Sequence, residues 1–326
     1  MNKSDDNLYI KLVGFHILIA IIIYLFPFLS KIISSTLFFV ALFIIMKTKN
    51  NNNEIIILCA YFVAFEVFFR MTSGNIFNEY TKYSIIIFMI MGMYYTGFSK
   101  WSYIYIFFII LFIPGIFYGI YQLNIDTNIR KAIAFNISGP ICLAISSIYC
   151  LNKRINFNQL NNLFKAFALP IIATTTYLFL YTPNIKDVVT GTQSNFETSG
   201  GFGPNQVSTI LGLGVFSVFI LSVLYSNKKK ILLPLNIILL ILISFRGIVT
   251  FSRGGMITAI IAIIIFIVQL FFFMNSKGKT KILIIACVAI FFGLIVWQIS
   301  IEQTGGLIEN RYQNKDALGR VKEDNL

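Results

Sequence analysis

Residues 254–274 read GGMITAIIAIIIFIVQLFFFM, a stretch without a single charged side chain. A helix needs about 20 predominantly apolar residues to cross the hydrocarbon core of a bilayer. The stretch therefore predicts a membrane-spanning helix. Ten further apolar runs of similar length occur along the chain, so the sequence predicts an all-α, polytopic integral membrane protein.

The eleven predicted spans are separated mostly by short polar connections. We place them at residues 8–29, 31–47, 54–72, 82–99, 102–123, 130–151, 160–182, 205–226, 231–249, 254–274 and 280–299. Together they predict one multi-span membrane domain over residues 1–299. The polar tail at 300–326 is predicted to begin a large loop outside the membrane.

The composition of the whole chain agrees with this class. Of its 326 residues, 57% are hydrophobic and only 12% are charged, whereas a soluble domain carries about a quarter charged residues. So little charge cannot cover a surface that faces water, which excludes a soluble enzyme, a disordered protein and a secreted disulfide scaffold. With one histidine and no acidic cluster within a span, the sequence also predicts no metal centre, and it contains no Gly-rich nucleotide loop.

The net charge of +13 is spread in ones, twos and threes between the apolar runs. A nucleic-acid-binding protein would gather such charge on a polar, basic domain, so no nucleic-acid partner is expected. Lysine and arginine flanking membrane spans instead favour the cytoplasmic side. With the N-terminus in the cytoplasm, fourteen basic residues face the cytoplasm and eight face outward, the tail excluded. The clearest basic clusters, at 228–230 and 277–281, then both lie inside.

This orientation places three polar segments on the same, outer side of the membrane. They are the loop at 183–204, the junction at 244–255 and the tail from residue 300. In the loop, the glycines of residues 200–203 allow close approach of a ligand, and Asn205 stands where the next helix is expected to begin, as a favoured N-cap. The segment fits an anion or sugar site at a helix N-terminus, and it fits equally an ordinary capped loop between two spans.

The junction at 244–255 reads SFRGIVTFSRGG and introduces Arg246 and Arg253 into apolar sequence. We expect the following pair, Gly254 and Gly255, to break the helix. A charge at membrane depth costs roughly 2.5–3.5 kcal/mol on insertion scales, which makes each arginine a candidate for function. A guanidinium can bind a phosphate or pyrophosphate bidentately. The alternative is that each side chain reaches the headgroup phosphates of membrane lipids.

Several motifs are similar to those of one bacterial family. The sequence GFGPNQVS at 201–208 resembles the outer-loop signature of the O-antigen polymerase and O-antigen ligase family, and TFSRGG at 250–255 resembles its Ser-Arg-Gly signature. The segments EVFFRM at 66–71 and 130–140 are similar to exopolysaccharide polymerases of this group, and residues 311–320 resemble the start of its large outer loop. The motifs occur in the family's order across most of the chain.

The resemblance implies an inverting, metal-independent glycosyltransferase without a cofactor. Its partners would be a glycan carried on undecaprenyl pyrophosphate, membrane lipids and a chain-length regulator protein, and its active face the periplasmic side of the bacterial inner membrane. Arg253 matches the motif arginine that would hold the pyrophosphate, with Arg246 and Arg130 as further candidates for this duty. Gly203, Asn205 and Gln206 would form the substrate loop.

The family's outer loop continues beyond the point that corresponds to residue 326 and is followed by further spans. The resemblance therefore implies that this chain is an N-terminal portion of a polymerase. Its catalytic base is not assigned. The carboxylates on the expected side are those of Glu302, Glu309, Asp316, Glu323 and Asp324.

The leading prediction is polymerisation of lipid-linked repeat units into O-antigen or exopolysaccharide. The alternatives are an O-antigen ligase that transfers the glycan to lipid A-core, a flippase or transporter for lipid-linked sugars, and an inactive truncated form. These alternatives share the outer arginines and the many spans, so the sequence leaves all of them open.

Overall fold

The structure, a computed structural model, describes residues 3–122, 128–225 and 231–321, and the helix is the regular secondary structure within them. An isolated bridge between Lys315 and Val321 is the nearest approach to a sheet in this part of the chain. The all-α prediction is confirmed. The helices are α1 (Lys3–Leu25), α2 (Leu29–Thr48), α3 (Glu54–Met71), α4 (Tyr80–Thr96), α5 (Tyr103–Ile110), α6 (Phe112–Gln122), α7 (Ile129–Cys150), α8 (Phe157–Tyr181), α9 (Pro204–Ile220), α10 (Leu232–Ile248), α11 (Arg253–Phe273), α12 (Ser276–Gln303) and α13 (Leu307–Tyr312).

Within the described ranges, eight helical segments are long and apolar enough to cross a membrane. They are Asp6–Leu25, Leu29–Thr48, Lys100–Gln122, Ile129–Cys150, Phe157–Tyr181, Pro204–Tyr225, Arg253–Phe273 and Ser276–Gln303. The predicted count was eleven, and the difference lies in α3, α4 and α10. Helix α3 carries three charged residues, and α4 and α10 have 17 residues each. A helix of that length rises about 26 Å, slightly less than the ~30 Å hydrocarbon core, so membrane crossing by these three helices stays a prediction.

The described residues fall into two compact units. The first unit takes its residues from Met1–Pro27, Arg70–Thr72 and Phe164–Leu326, and the second from Phe28–Phe69 and Ser73–Leu163. The tail up to residue 321 thus belongs to the first unit, together with the helices that precede it. The predicted basic cluster at 228–230 and the final residues 322–326, which include Glu323 and Asp324, lie outside the described residues.

In the second unit, the connections that follow α2, α4 and α7 meet at one end. The Asn53 amide donates to the carbonyl of Arg154 at 3.1 Å, and the Asn152 amide donates to the Ser99 hydroxyl at 2.9 Å. Below them, the Tyr149 hydroxyl accepts a 2.6 Å bond from the Asn50 amide. Alternating spans would place these same connections on one side of the membrane, and the contacts agree with that arrangement.

The first unit is organised around α9, which packs against both α10 and α11. Helices α9 and α11 approach so closely that a Cβ added at Gly255 would lie 2.3 Å from the backbone of Ser208. A Cβ added at Gly212 would lie 2.3 Å from the carbonyl oxygen of Gly255. Small residues that allow two backbones to touch are the usual basis of helix association in lipid. This contact fixes the start of α11 against the start of α9.

Candidate functional site

The three polar segments singled out in the sequence meet at one end of the first unit. The backbone amide of Asn195, in the loop after α8, donates to the carbonyl of Thr250 at 3.0 Å. Beneath this bond, apolar side chains of all three segments form one buried cluster, which contains Ile185, Val189, Val249, Phe251 and Ile308. The segments are therefore parts of one structure, as the alternation of spans predicts.

The loop after α8 is held by hydrogen bonds rather than by regular structure. Asn195 accepts from the amide of Thr198 through its side chain and from the Ser199 hydroxyl through its carbonyl, at 2.9 and 2.7 Å. Gly200 follows with φ of +70°, and an added Cβ would lie 2.3 Å from Met71. The backbone conformation thus favours glycine there, whereas the flexible end of the Met71 side chain could move aside. The loop reaches α9 in a defined conformation.

Helix α9 begins two residues earlier than the sequence indicated. Its N-cap is Gly203 and its first residue is Pro204, so the expectation that Asn205 caps the helix is wrong. Proline suits the first helical position, because its φ is already helical and it needs no hydrogen-bond partner there. Asn205 and Gln206 are exposed in the first turn. The Asn205 side chain accepts a 2.8 Å bond from the Ser252 hydroxyl, which links it to the start of α11.

The break between α10 and α11 falls at residues 249–252, before the glycine pair that we expected to cause it. Gly254 and Gly255 lie within α11, where Gly255 serves the contact with α9. The chain turns at Phe251, which is fully buried and has φ of +60°. Such a conformation is unusual for a bulky residue and persists only where packing fixes it. Ser252 follows as the N-cap residue, and its carbonyl accepts from the Ser208 hydroxyl at 2.8 Å.

Arg246 lies near the end of α10 and is fully buried. Its Nη2 donates to the carbonyl of Leu178 and, at 2.7 Å, to that of Thr182. The guanidinium stacks on the Phe179 ring, 4.3 Å from its centroid. These carbonyls belong to the last turn of α8 and the residue after it, where a cation is favourable. In this structure Arg246 caps α8, and its predicted contact with pyrophosphate stays a prediction.

Arg253 is the first residue of α11 and is partly exposed. Its Nη1 donates to the side-chain oxygen of Asn314 at 2.7 Å and to the carbonyl of Arg311 at 3.3 Å. Arg311 in turn donates from Nε to the carbonyl of Phe251 at 3.1 Å. We call Arg253, Arg311, Tyr312 and Asn314 the arginine cluster. The cluster joins the start of α11, within the sequence TFSRGG at 250–255, to the tail that follows α12.

The arginine cluster carries positive charge, and none of the described residues supplies it with an ion-paired counter-charge. Across the described ranges, neither Arg253 nor Arg311 forms an ion pair with a carboxylate. Burial, and then the neighbouring charge of Arg253, lowers the pKa of Arg311 below its ordinary value. Burial raises the pKa of Tyr312, although the two arginines act against this shift. Two cations held together with open donor groups are suited to bind a multiply charged anion.

The sequence did not identify Arg311, Tyr312 and Asn314 as site residues. They lie about sixty positions after Arg253, and the polar tail offers no periodicity that would place them. The sequence offered one signal, the predicted resemblance of residues 311–320 to an outer loop. The tail folds into a turn in which Asp316 accepts from the amides of Leu318 and Arg320 and pairs with the Arg320 guanidinium at 2.8 Å.

Arg130 lies in the second unit, on α7, and is exposed. Its predicted contact with the pyrophosphate stays a prediction. Near it in the second unit, Lys82 pairs with the buried Glu79 at 2.5 Å, and the Ser138 hydroxyl donates to Glu79 at 3.2 Å. The three arginines predicted to bind pyrophosphate thus have different environments. Arg246 is a buried cap of α8, Arg253 belongs to the arginine cluster, and Arg130 is exposed in the second unit.

Of the carboxylates considered as a catalytic base, Glu302, Glu309 and Asp316 lie within the described residues, and none of these three forms an ion pair with Arg253. Glu302 and Glu309 are exposed and accept long bonds, of 3.5 and 3.2 Å, from Gln298 and Gln313. Backbone hydrogen bonding and Arg320 lower the pKa of Asp316, which keeps it ionised. Within the described ranges, no three metal-ligating side chains cluster. The base stays unassigned.

In comparisons with known proteins, no family model, no curated protein and no solved structure matches this chain.

Proposed function

We propose that this protein transfers glycan from undecaprenyl pyrophosphate to an acceptor sugar, and so polymerises lipid-linked repeat units into O-antigen or exopolysaccharide. The observation that carries the proposal is the arginine cluster, in which Arg253 of the family-like motif lies beside Arg311 without an acidic partner among the described residues. The many apolar helices fit a lipid-linked substrate. The expected location is the bacterial inner membrane, with the cluster on the periplasmic side.

The proposed reaction requires that the leaving group, a pyrophosphate, be stabilised as it departs. An acceptor hydroxyl attacks the anomeric carbon, the bond from that carbon to the pyrophosphate oxygen breaks, and the hydroxyl proton passes to a base. Negative charge then grows on the departing pyrophosphate. Fixed guanidinium groups stabilise such charge without reorganising. Arg253 would contact the pyrophosphate through the donors that Asn314 leaves free, and Arg311 would supply the second charge.

The substrate loop has a supporting role in this proposal. Asn205 and Gln206 are exposed beside the start of α11, and Asn205 is bonded to Ser252 directly before Arg253. Their amides would bind sugar hydroxyls close to the pyrophosphate, and Gly203 would set the helix start that presents them. Arg246 would hold α8 beneath the loop.

Arg253→Ala and Arg311→Ala test the proposal in a purified assay. The substrate is an undecaprenyl-pyrophosphate-linked oligosaccharide, and the measurement is the formation of longer lipid-linked glycans. We expect each variant to lower the rate at least tenfold, since removing one charge-stabilising donor costs on the order of 10²–10³ in comparable sites. Arg253→Lys should restore only part of the rate, because lysine cannot bind bidentately.

Lys186→Ala is the matched control. Lys186 is an exposed cation of the loop at 183–204 and does not belong to the arginine cluster. The variant should leave the rate unchanged. Full polymerisation by folded Arg253→Ala would overturn the proposal. Translocation of the lipid-linked glycan without a new glycosidic bond would indicate a flippase instead, and transfer only to lipid A-core would indicate a ligase. Addition of a chain-length regulator protein should alter product length only for a polymerase.

A further inference from the structure

The second unit contains two cavities that the proposed function does not use. One has a volume of about 490 Å³ and lies between α4, α6 and α7. The other has a volume of about 700 Å³ and lies at the start of α7, beside the connection before α4. Tyr83 and Ala134 line both of them, so the cavities adjoin.

The smaller cavity is almost entirely apolar. Its walls are mainly isoleucine side chains from three helices, among them Ile86, Ile116, Ile120, Ile133 and Ile137. A cavity without polar partners does not hold ordered water but accepts apolar molecules. Two of the three helices that bound it, α6 within Lys100–Gln122 and α7, belong to segments of membrane-spanning length and hydropathy, and the apolar molecules available beside such helices are lipid chains. The single charged residue of its lining is Arg130.

The larger cavity is also lined mainly by apolar surface, but it carries more polar groups than the smaller one. Its lining includes the amides of Asn78, Asn128 and Asn136 and the ammonium group of Lys131. The Asn128 side chain already accepts from the amide of Lys131 at 3.0 Å, and the Asn136 side chain donates to the carbonyl of Ala132 at 2.9 Å. The other polar side-chain atoms of these exposed asparagines can meet a ligand or solvent. Such groups bind hydroxyls and phosphate oxygens. An apolar cavity next to one that carries amide and ammonium groups matches a molecule with a chain and a hydrophilic head.

The charged residues where the two cavities adjoin determine which headgroup charge fits the site. Arg130 and Lys131 are exposed, and within the described residues no carboxylate pairs with either of them. The neighbouring Glu79 does not neutralise them, because it already pairs with Lys82 and accepts from Ser138. Two adjacent free cations favour an anionic group, and basic pockets between membrane helices bind acidic lipid headgroups.

We propose that the two cavities form a binding site for an anionic phospholipid of the surrounding bilayer. One acyl chain occupies the isoleucine-lined cavity, the phosphate contacts Arg130 and Lys131, and the hydroxyls of the headgroup contact the asparagines. The site lies wholly within the second unit and does not depend on the proposed glycosyl transfer. It assigns Arg130 a phosphate ligand other than the pyrophosphate of the substrate.

Native mass spectrometry of the purified protein, delipidated in detergent, tests the site. The probes are phosphatidylglycerol and phosphatidylcholine with identical acyl chains, added at equal concentration. We expect phosphatidylglycerol to be retained at least about tenfold more strongly, as two charge-assisted contacts imply. The double variant Arg130→Gln/Lys131→Gln should remove this preference. Ile133→Trp, which fills the apolar cavity, should reduce retention of both lipids.

The matched control is Lys47→Gln/Lys49→Gln, which removes two exposed charges from another end of the same unit. It should retain phosphatidylglycerol normally. Equal retention of the two lipids by the unsubstituted protein would overturn the proposal, whether or not any variant folds. So would undiminished retention by Ile133→Trp, or displacement of the lipid by inorganic phosphate alone, which would indicate a phosphate site without a chain.

Discussion

At the scale of single residues, Arg246 and Arg253 have opposite environments although only seven positions separate them. Arg246 is fully buried and donates to the carbonyls of Leu178, in the last turn of α8, and of Thr182, directly after that helix. Its Nε and Nη1 have no hydrogen-bond partner within the described part of the chain. Arg253 is partly exposed, and its donors are shared with a flexible asparagine side chain and one carbonyl. The first arginine is therefore expected to stabilise the fold and the second to bind ligand.

This difference predicts separable effects of the two alanine variants. Arg246→Ala should lower the free energy of unfolding by about 3 kcal/mol, because it leaves two buried carbonyls without a donor and opens a cavity. Arg253→Ala should change it by less than about 1 kcal/mol, since water can replace its contacts. Unfolding in detergent measures both. Equal stability of the two variants would show that Arg246 is not a structural cap.

At the scale of elements, the contact between α9 and α11 depends on glycine at two positions. Gly255 touches the backbone of Ser208, and Gly212 touches the carbonyl of Gly255. The neighbouring Gly254 is exposed, and an added Cβ would meet nothing within 4 Å. The same glycine pair thus contains one residue that is required for packing and one that is not.

Gly255→Ala should therefore destabilise the protein by about 1–3 kcal/mol, as overpacking does. The displaced helix start would also separate Ser252 from Asn205 and so lower the proposed transferase activity. Gly254→Ala is the matched control and should be neutral or stabilising by up to about 1 kcal/mol, since alanine favours helix. Thermal unfolding and the polymerisation rate check both variants. If Gly254→Ala proved as harmful as Gly255→Ala, the close contact would not be the cause.

At the scale of the whole molecule, the alternation of spans predicts which connections share a side of the membrane. Single cysteines introduced at Asn152 and Lys277, in a variant without the four native cysteines, should react only with reagent on the cytoplasmic side. Cysteines at Asn78, Ser194 and Asn314 should react from the periplasmic side, because an odd number of predicted spans separates them from the first set. Labelling of the cysteines at Ser194 and Lys277 from the same side would contradict the predicted topology. It would also contradict the predicted location of the arginine cluster on the outer side.

The sequence by itself determined the helical class, the membrane setting and the motif that contains Arg253. These properties depend on the length of apolar runs and on local charge, which are readable residue by residue. It also grouped the loop at 183–204, the junction at 244–255 and the tail, since alternation of spans requires only counting. The sequence did not predict the exact starts of α9 and α11. Pro204, rather than a cap at Asn205, begins α9, and the turn at the buried Phe251, rather than the glycine pair, precedes α11.

Only the tertiary structure decided which arginines share a site. Arg311 and Asn314 reach Arg253 across about sixty positions, and Arg246 turns inward to cap α8 because the end of that helix lies beside it. The sequence gives identical chemistry to all these guanidinium groups. Their roles differ because burial, neighbouring carbonyls and the absence of a carboxylate partner in the described chain are properties of packing between segments that are distant in sequence.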